Sequence, residues 1–345
     1  MLTTMLTLDD WDRLEDTARL AWARAALERV DCAAFELVGL HDHALGRASH
    51  RVLELRLGDA AFVLVPGGER VVGFDADRGW HPDPGELESW RTAAQDYGLD
   101  PAPSTHLARV LTPRRHVVVP PKLVEVHARE IGFQRVDPAD PRVAPILAEH
   151  ARSSGVTTVD GDGIQVRIRR SQGVQIVELA EETTHEDVVA DLAREGFRPP
   201  TPDEWEHLCG AGTETLFRWG DHAPTDRYPI DVSLEEATWR QQWALSGGRL
   251  ARPAEGFVWT YDLHRRPNAL GLTIAFDPYR FELTSDPCVL RGGDGGTSVC
   301  GGAGFFLGWL PLATAYFERE LCGAEEGAPI TPGYTYVRRC LCLSA

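Results

Sequence analysis

F-R-P-P-T-P-D-E-W-E-H-L-C-G-A-G-T-E-T-L-F-R-W-G-D, residues 197–221, is the stretch from which the rest of the chain is read. Pro199 and Pro200 fix φ and restrain the residues before them, so the approach is extended. Thr201 is placed as a helix N-cap, with Pro202 at the first helical position and Glu204 three residues on to close a capping box. Trp205, Leu208 and Cys209 then share one face of a short helix. Gly210 and Gly212 end it, and residues 217–221 follow as an aromatic loop around Trp219.

Residues 9–30 read as an amphipathic helix. Asp9 and Asp10 mark its capping end, and Trp11, Leu14, Ala18 and Trp22 form an apolar stripe expected to pack on the domain. His41, His43 and His50 are residues of metal-ligating type, read here as ordinary surface histidines. Residues 51–74 read as strands: Leu53, Leu55 and Leu57 alternate, Gly58-Asp59 turns, 60–65 is apolar, and Pro66-Gly67-Gly68 turns again. A helix is expected over 86–97, a short strand over 116–119 and hairpins over 156–179, with a plain turn at Asp160-Gly161-Asp162-Gly163. Residues 184–195 read as a second capped helix with Val188, Leu192 and Ala193 on its apolar face.

Composition sets limits. The chain has 345 residues, 43% hydrophobic, with 33 Gly, 23 Pro and 10 Trp. That supports a large core in a loop-rich α+β fold rather than a helical bundle or a doubly wound sheet. The net charge of −17, with Arg far outnumbering Lys, repels phosphate backbones and argues against nucleic-acid binding. No apolar run approaches membrane-spanning length, so no membrane partner is expected. Residues 1–10 lack the basic and apolar regions of a signal peptide, and seven scattered cysteines without a CxxC pair suit a reducing compartment. A cytoplasmic location is expected.

The opening stretch resembles the R-L-P-T-E-A-E-W-E…P-W-G-D signature of the formylglycine-generating enzyme (sulfatase-modifying factor) family. Residues 62–75, F-V-L-V-P-G-G-E-R-V-V-G-F-D, are similar to that family's opening F-V-x-I-P-G-G-x-F-x-M-G-x-D. Asn268-Ala269-Leu270-Gly271-Leu272 is similar to its N-x-F-G-L, Phe281-Glu282-Leu283-Thr284-Ser285-Asp286 to its V-W-E-W-T-S-D, and Val289-Leu290-Arg291-Gly292-Gly293 to its V-L-R-G-G. The resemblance runs from near residue 60 to the C-terminus. It implies a C-type-lectin-like domain, taken as residues 51–345, behind an N-terminal helical extension of residues 1–50.

The positions that carry the family's chemistry differ. Where the resemblance would put Ser after R-G-G, this chain has Asp294 and Gly295, and in place of two nearby cysteines it has Cys300 alone. The G-N that contributes to a calcium site in the family is replaced by Asp277-Pro278-Tyr279. A lone Glu282 is short of the six to eight oxygens calcium takes. Residues 292–304 read as a flexible or closely packed glycine loop with no P-loop lysine. Cys340 and Cys342, two apart on a terminal strand, could join Cys300 or Cys322 in a soft-metal site; packing as small hydrophobes is preferred.

Two functions follow. The first is a non-catalytic module of recognition or immunity type, binding a protein partner or a small ligand, with Trp219, Arg291 and Trp309 as binding candidates and further aromatics at Trp239, Trp243 and Trp259. The second is a copper- or iron-dependent oxygenase or oxidase acting on a sulfur-containing or peptide substrate. Its catalytic candidates are Cys300, Asp294 and Glu282, and its metal candidates Cys300, Cys340 and Cys342. Copper and calcium are the cofactors the resemblance implies, and a chain without a cofactor is the preferred reading. A carbohydrate binder is set aside, because the lectin calcium motifs E-P-N and W-N-D are absent.

Overall fold

The computed structural model describes residues 7–29, 35–152, 155–161, 163–171, 174–231, 239, 242, 262–318 and 327–343. Cys32, Cys322, Trp243 and Trp259 lie outside the described residues.

The expected first helix is divided. α1 (Leu8–Arg13) and α2 (Asp16–Leu27) are separated by extended backbone at Leu14 and Glu15. Arg19 holds the break: its Nε donates to Trp11 O at 2.9 Å and its Nη2 to Asp12 O at 2.8 Å, satisfying carbonyls that a continuous helix would have used. Trp11, Ala23 and Ala26 are buried in the main core, so this segment packs on the body of the protein. A long hairpin follows, β1 (Glu36–Leu45) and β2 (Ala48–Leu57). The residue-50 boundary falls inside β2, which pairs β3 (Ala60–Val65) over its second half.

One antiparallel sheet has the order β1-β2-β3-β6-β15, with β6 at Lys122–Glu125 and β15 at Cys340–Cys342. The apolar run of β3 has a direct cause, since both faces of this sheet are covered. Leu55, Phe62, Leu64 and Leu123 face α2 and α6 (His185–Arg194), while Val52, Val63, Val65 and Val124 face α7 (Pro202–Gly210). Each fully buried side chain of this size contributes about 1.5–3 kcal/mol.

A two-stranded sheet of β4 (Gly68–Val72) and β5 (Arg115–Val119) packs beside α7. α3 (Pro84–Tyr97) and α4 (Pro103–Val110) lie between those strands in sequence. α4 was not anticipated; eight residues around one buried leucine, Leu107, are too few to show a period. A four-stranded sheet, β8-β11-β10-β9, is built from β8 (Phe133–Arg135), β9 (Gly155–Gly161), β10 (Ile164–Ser171) and β11 (Val174–Ala180). It carries its own small core of Val166, Ile168, Val177 and Leu179, against which α5 (Ala144–Glu149) packs Ile146 and Leu147. The last sheet has the order β13-β12-β14-β7, from β7 (Arg129–Glu130), β12 (Phe281–Leu283), β13 (Leu290–Arg291) and β14 (Thr335–Val337), with β12 and β14 parallel. The architecture is α+β, as expected, and no described helix is long and apolar enough to cross a membrane.

The capping box of α7 forms as read: Glu204 N donates to Thr201 Oγ1 at 3.2 Å and Thr201 N to Glu204 Oε2 at 2.8 Å. The helix ends differently. Gly210 is still helical, and Ala211, at φ 52°, is the left-handed cap whose N–H reaches His207 O. Asn268 takes up the neighbouring carbonyls, donating through Nδ2 to Leu208 O at 2.6 Å and Cys209 O at 3.1 Å.

Candidate functional site

The E-W-E of α7 sends each side chain to a different element. Glu204 meets the Lys122 Nζ of β6 and Arg198 Nη1, both at 2.6 Å. The indole N–H of Trp205 donates to Glu282 Oε2 of β12 at 3.1 Å. Glu206 accepts from Arg291 Nη2 of β13 at 2.5 Å and from Arg115 Nη2 of β5 at 2.8 Å. Glu282 also accepts from Arg338 Nε at 3.0 Å and Nη2 at 2.7 Å. Its carboxylate is therefore held by two fixed donors, which satisfy it within the core. Arg291 is likewise buried in this network, not presented to a partner.

Trp219 and Trp309 are core residues too. Trp219 stacks on Phe217 with centroids 4.8 Å apart, and Trp309 stands edge-to-face to it at 6.0 Å. The loop at 217–221 closes on itself through Phe217 N to Gly220 O and Gly220 N to Phe217 O. Arg218 is turned inward, donating to Ala275 O at 2.8 Å and to His264 O.

The thiols are dispersed. Cys340 is buried in the core beside α7, where burial pushes its pKa up to about 12. Cys342 accepts from Arg198 Nη2 at 2.9 Å. Cys300 is exposed and lies 3.0 Å from Tyr279 Oη. Among the described residues, the only group of three or more His, Cys, Asp and Glu ligand atoms mutually within 4.8 Å is Asp83, Glu86 and His222. Asp83 and Glu86 there form the capping box of α3, and Glu86 already accepts from Asp83 N, Ala223 N and His222 Nδ1. His43 is bonded to Glu54 at 2.9 Å, and His50 bridges Asp12 and Ala211 O, each at 2.9 Å.

Asp294 is different, because it borders a cavity. The V-L-R-G-G segment brings it there. Gly292 has φ 82°, and a Cβ on Gly293 would collide with Arg280 O, so both glycines are required for the chain to pass so close to β12. The expected glycine loop then folds into two short helices, α8 (Thr297–Cys300) and α9 (Phe305–Trp309). Asp294 accepts from the chain entering the first of these, from Gly296 N on Oδ1 at 2.8 Å and Ser298 N on Oδ2 at 2.9 Å. Burial nevertheless pushes its carboxyl above the usual range, outweighing those bonds.

The cavity beside it holds about 400 Å³. It is lined by Phe281, Leu283 and Leu290, by Pro329 and Ile330, and by Cys288 and His185. His185 is fixed by a 2.8 Å bond from Nε2 to Thr284 O. The 327–331 wall is attached by Ile330 N to Thr183 O at 2.8 Å. Such a space suits an apolar group with a few polar contacts at its edge. Sequence reading found Asp294 but missed His185, Cys288 and the 327–331 wall, because His185 stands roughly a hundred residues before Cys288 and the wall about forty after it, with no spacing to signal it.

No protein-family model matches the chain, and no curated protein sequence matches it.

Proposed function

We propose that the chain is a divergent formylglycine-generating-enzyme-like protein with a C-type-lectin-like scaffold, and that it is a non-catalytic binding module of recognition type. It takes an apolar side chain of a protein partner, or a small apolar ligand, into the cavity beside Asp294. The observation that carries this is the position of that cavity. It opens where the resemblance would put a reactive Ser, and the residue standing there spends both carboxylate oxygens on the backbone amides of Gly296 and Ser298. An apolar hollow with an exposed rim is a usual anchor point for a partner's side chain.

Ala328→Trp tests this by filling the cavity from its 327–331 wall. A partner or ligand retained by the wild-type protein should be lost by this variant with little change in melting temperature. Equal retention by both proteins would remove the cavity from the reading. Metal analysis of the purified protein separates the alternative: one copper or iron per chain, lost in Cys300→Ser, would favour the oxygenase over the module.

A further inference from the structure

A second, polar cleft of about 260 Å³ lies between β4, the start of α1 and the C-terminal end of α7. Arg70 of β4 is half-buried in it. Its Nη1 donates to Glu69 O at 2.9 Å and its Nη2 to Gly67 O at 2.7 Å, both backbone carbonyls. Its Nε is buried without a hydrogen-bond partner, and among the described residues no carboxylate lies within ion-pair distance of it. Two more lining groups are in the same condition. His207 is 3% exposed and its Nε2 has no partner, and the buried Thr213 Oγ1 has none either. A buried donor left unpaired costs about 1–3 kcal/mol. Two unpaired donors, Arg70 Nε and Thr213 Oγ1, with the neutral His207 ring lining the same cleft, point to a ligand that supplies acceptors.

The acids around the cleft narrow the class. Glu206 is committed to Arg291, Arg115 and Thr112. Asp75 accepts from Asp77 N and Arg78 N and faces Arg114 at 3.6 Å, and Glu214 faces Arg114 at 3.8 Å. Asp9 and Glu69 are exposed lining residues with negative charge. A phosphate dianion would meet repulsion from these carboxylates, whereas a carboxylate with a cationic end would not. The C-terminal end of α7 also favours positive charge. His207 adds no charge of its own: burial, then the nearby Arg70, pushes it down to about 3, so it presents a neutral imidazole.

We propose that this cleft binds a small zwitterionic carboxylate of amino-acid type, its carboxylate on Arg70 and Thr213 and its ammonium among the surrounding acids. The site is separate from the Asp294 cavity and does not depend on the function assigned there. The test is calorimetric titration of the full chain with each common α-amino acid, with acetate and inorganic phosphate as partial probes. At least one amino acid should bind once per chain at millimolar concentration or below, at least about tenfold tighter than acetate or phosphate. Arg70→Gln and Thr213→Val should each weaken it about tenfold, the loss of one charged or neutral hydrogen bond. Thr213→Val leaves the Arg70 bonds to Gly67 and Glu69 in place, so it decides the matter if Arg70→Gln fails to fold. Ala328→Trp should leave this binding unchanged. The proposal is overturned if no amino acid binds, if phosphate binds as tightly, or if Thr213→Val has no effect.

Discussion

Glu206 Oε1 and Arg291 Nη2 lie 2.5 Å apart, with both side chains 1% exposed. This pair ties α7 to β13 and so fixes the segment that delivers Asp294 to its cavity. Removing one member of a buried pair leaves the other uncompensated, at about 3–5 kcal/mol. Glu206→Gln should therefore lower the stability measured by urea denaturation by that amount. A loss below about 1 kcal/mol would mean that the carbonyls of Ala315 and Tyr316 satisfy Arg291 without it.

Trp205→Phe keeps the ring in the core and deletes only the N–H to Glu282. A hydrogen bond to a charged group contributes about 1.5–3 kcal/mol, and that is the expected loss of stability. The paired variant Trp205→Phe with Glu282→Gln should lose less than the sum of the two single changes, because the groups are in contact.

Stability should fall in acid in two windows. Burial raises the Glu204 carboxyl, but the bonds from Arg198 and the charge of Lys122 outweigh it and hold it at about 2, against an ordinary 4.5. The folded state then binds fewer protons than the unfolded chain between those values. Stability from this group is complete above about 4.5 and is lost as pH falls toward 2. His207, kept neutral down to about 3 against an ordinary 6.5, contributes in the same direction, beginning to lose its share as pH drops below 6.5. Denaturation midpoints across pH should show Glu204→Gln flattening the lower window and His207→Gln the upper one.

Chemical labelling should divide the side chains by burial. Cys288 and Cys300 are exposed and should react with a thiol reagent in the native protein. Cys209 and Cys340, both pushed up to about 12 by burial, should react only after unfolding. Lys122 is the only lysine of the chain and is 1% exposed in its pair with Glu204. An amine-reactive reagent should leave it unmodified until denaturant is added, as read by peptide mass mapping.

Short-range signals were legible in the sequence. The Thr201–Glu204 box, the apolar run of β3 and the second capped helix all formed, because each rests on chemistry within a few residues. The single helix over 9–30 did not, because Arg19 folds back to take the carbonyls of Trp11 and Asp12, which a periodicity count cannot register.

The α+β class, the position of α7 and the arrival of Asp294 after R-G-G were readable along the chain, since capping boxes, apolar periodicity and glycine geometry are local properties. Which charged residues are spent on one another, and which are not, follows from packing between segments distant in the chain. Glu282 and Arg291 read as reactive or binding groups in isolation, yet Arg338 and Glu206 neutralise them. Arg70, His207 and Thr213 carried no signal in the sequence, because a buried group's need for a partner depends on what the folded chain places around it.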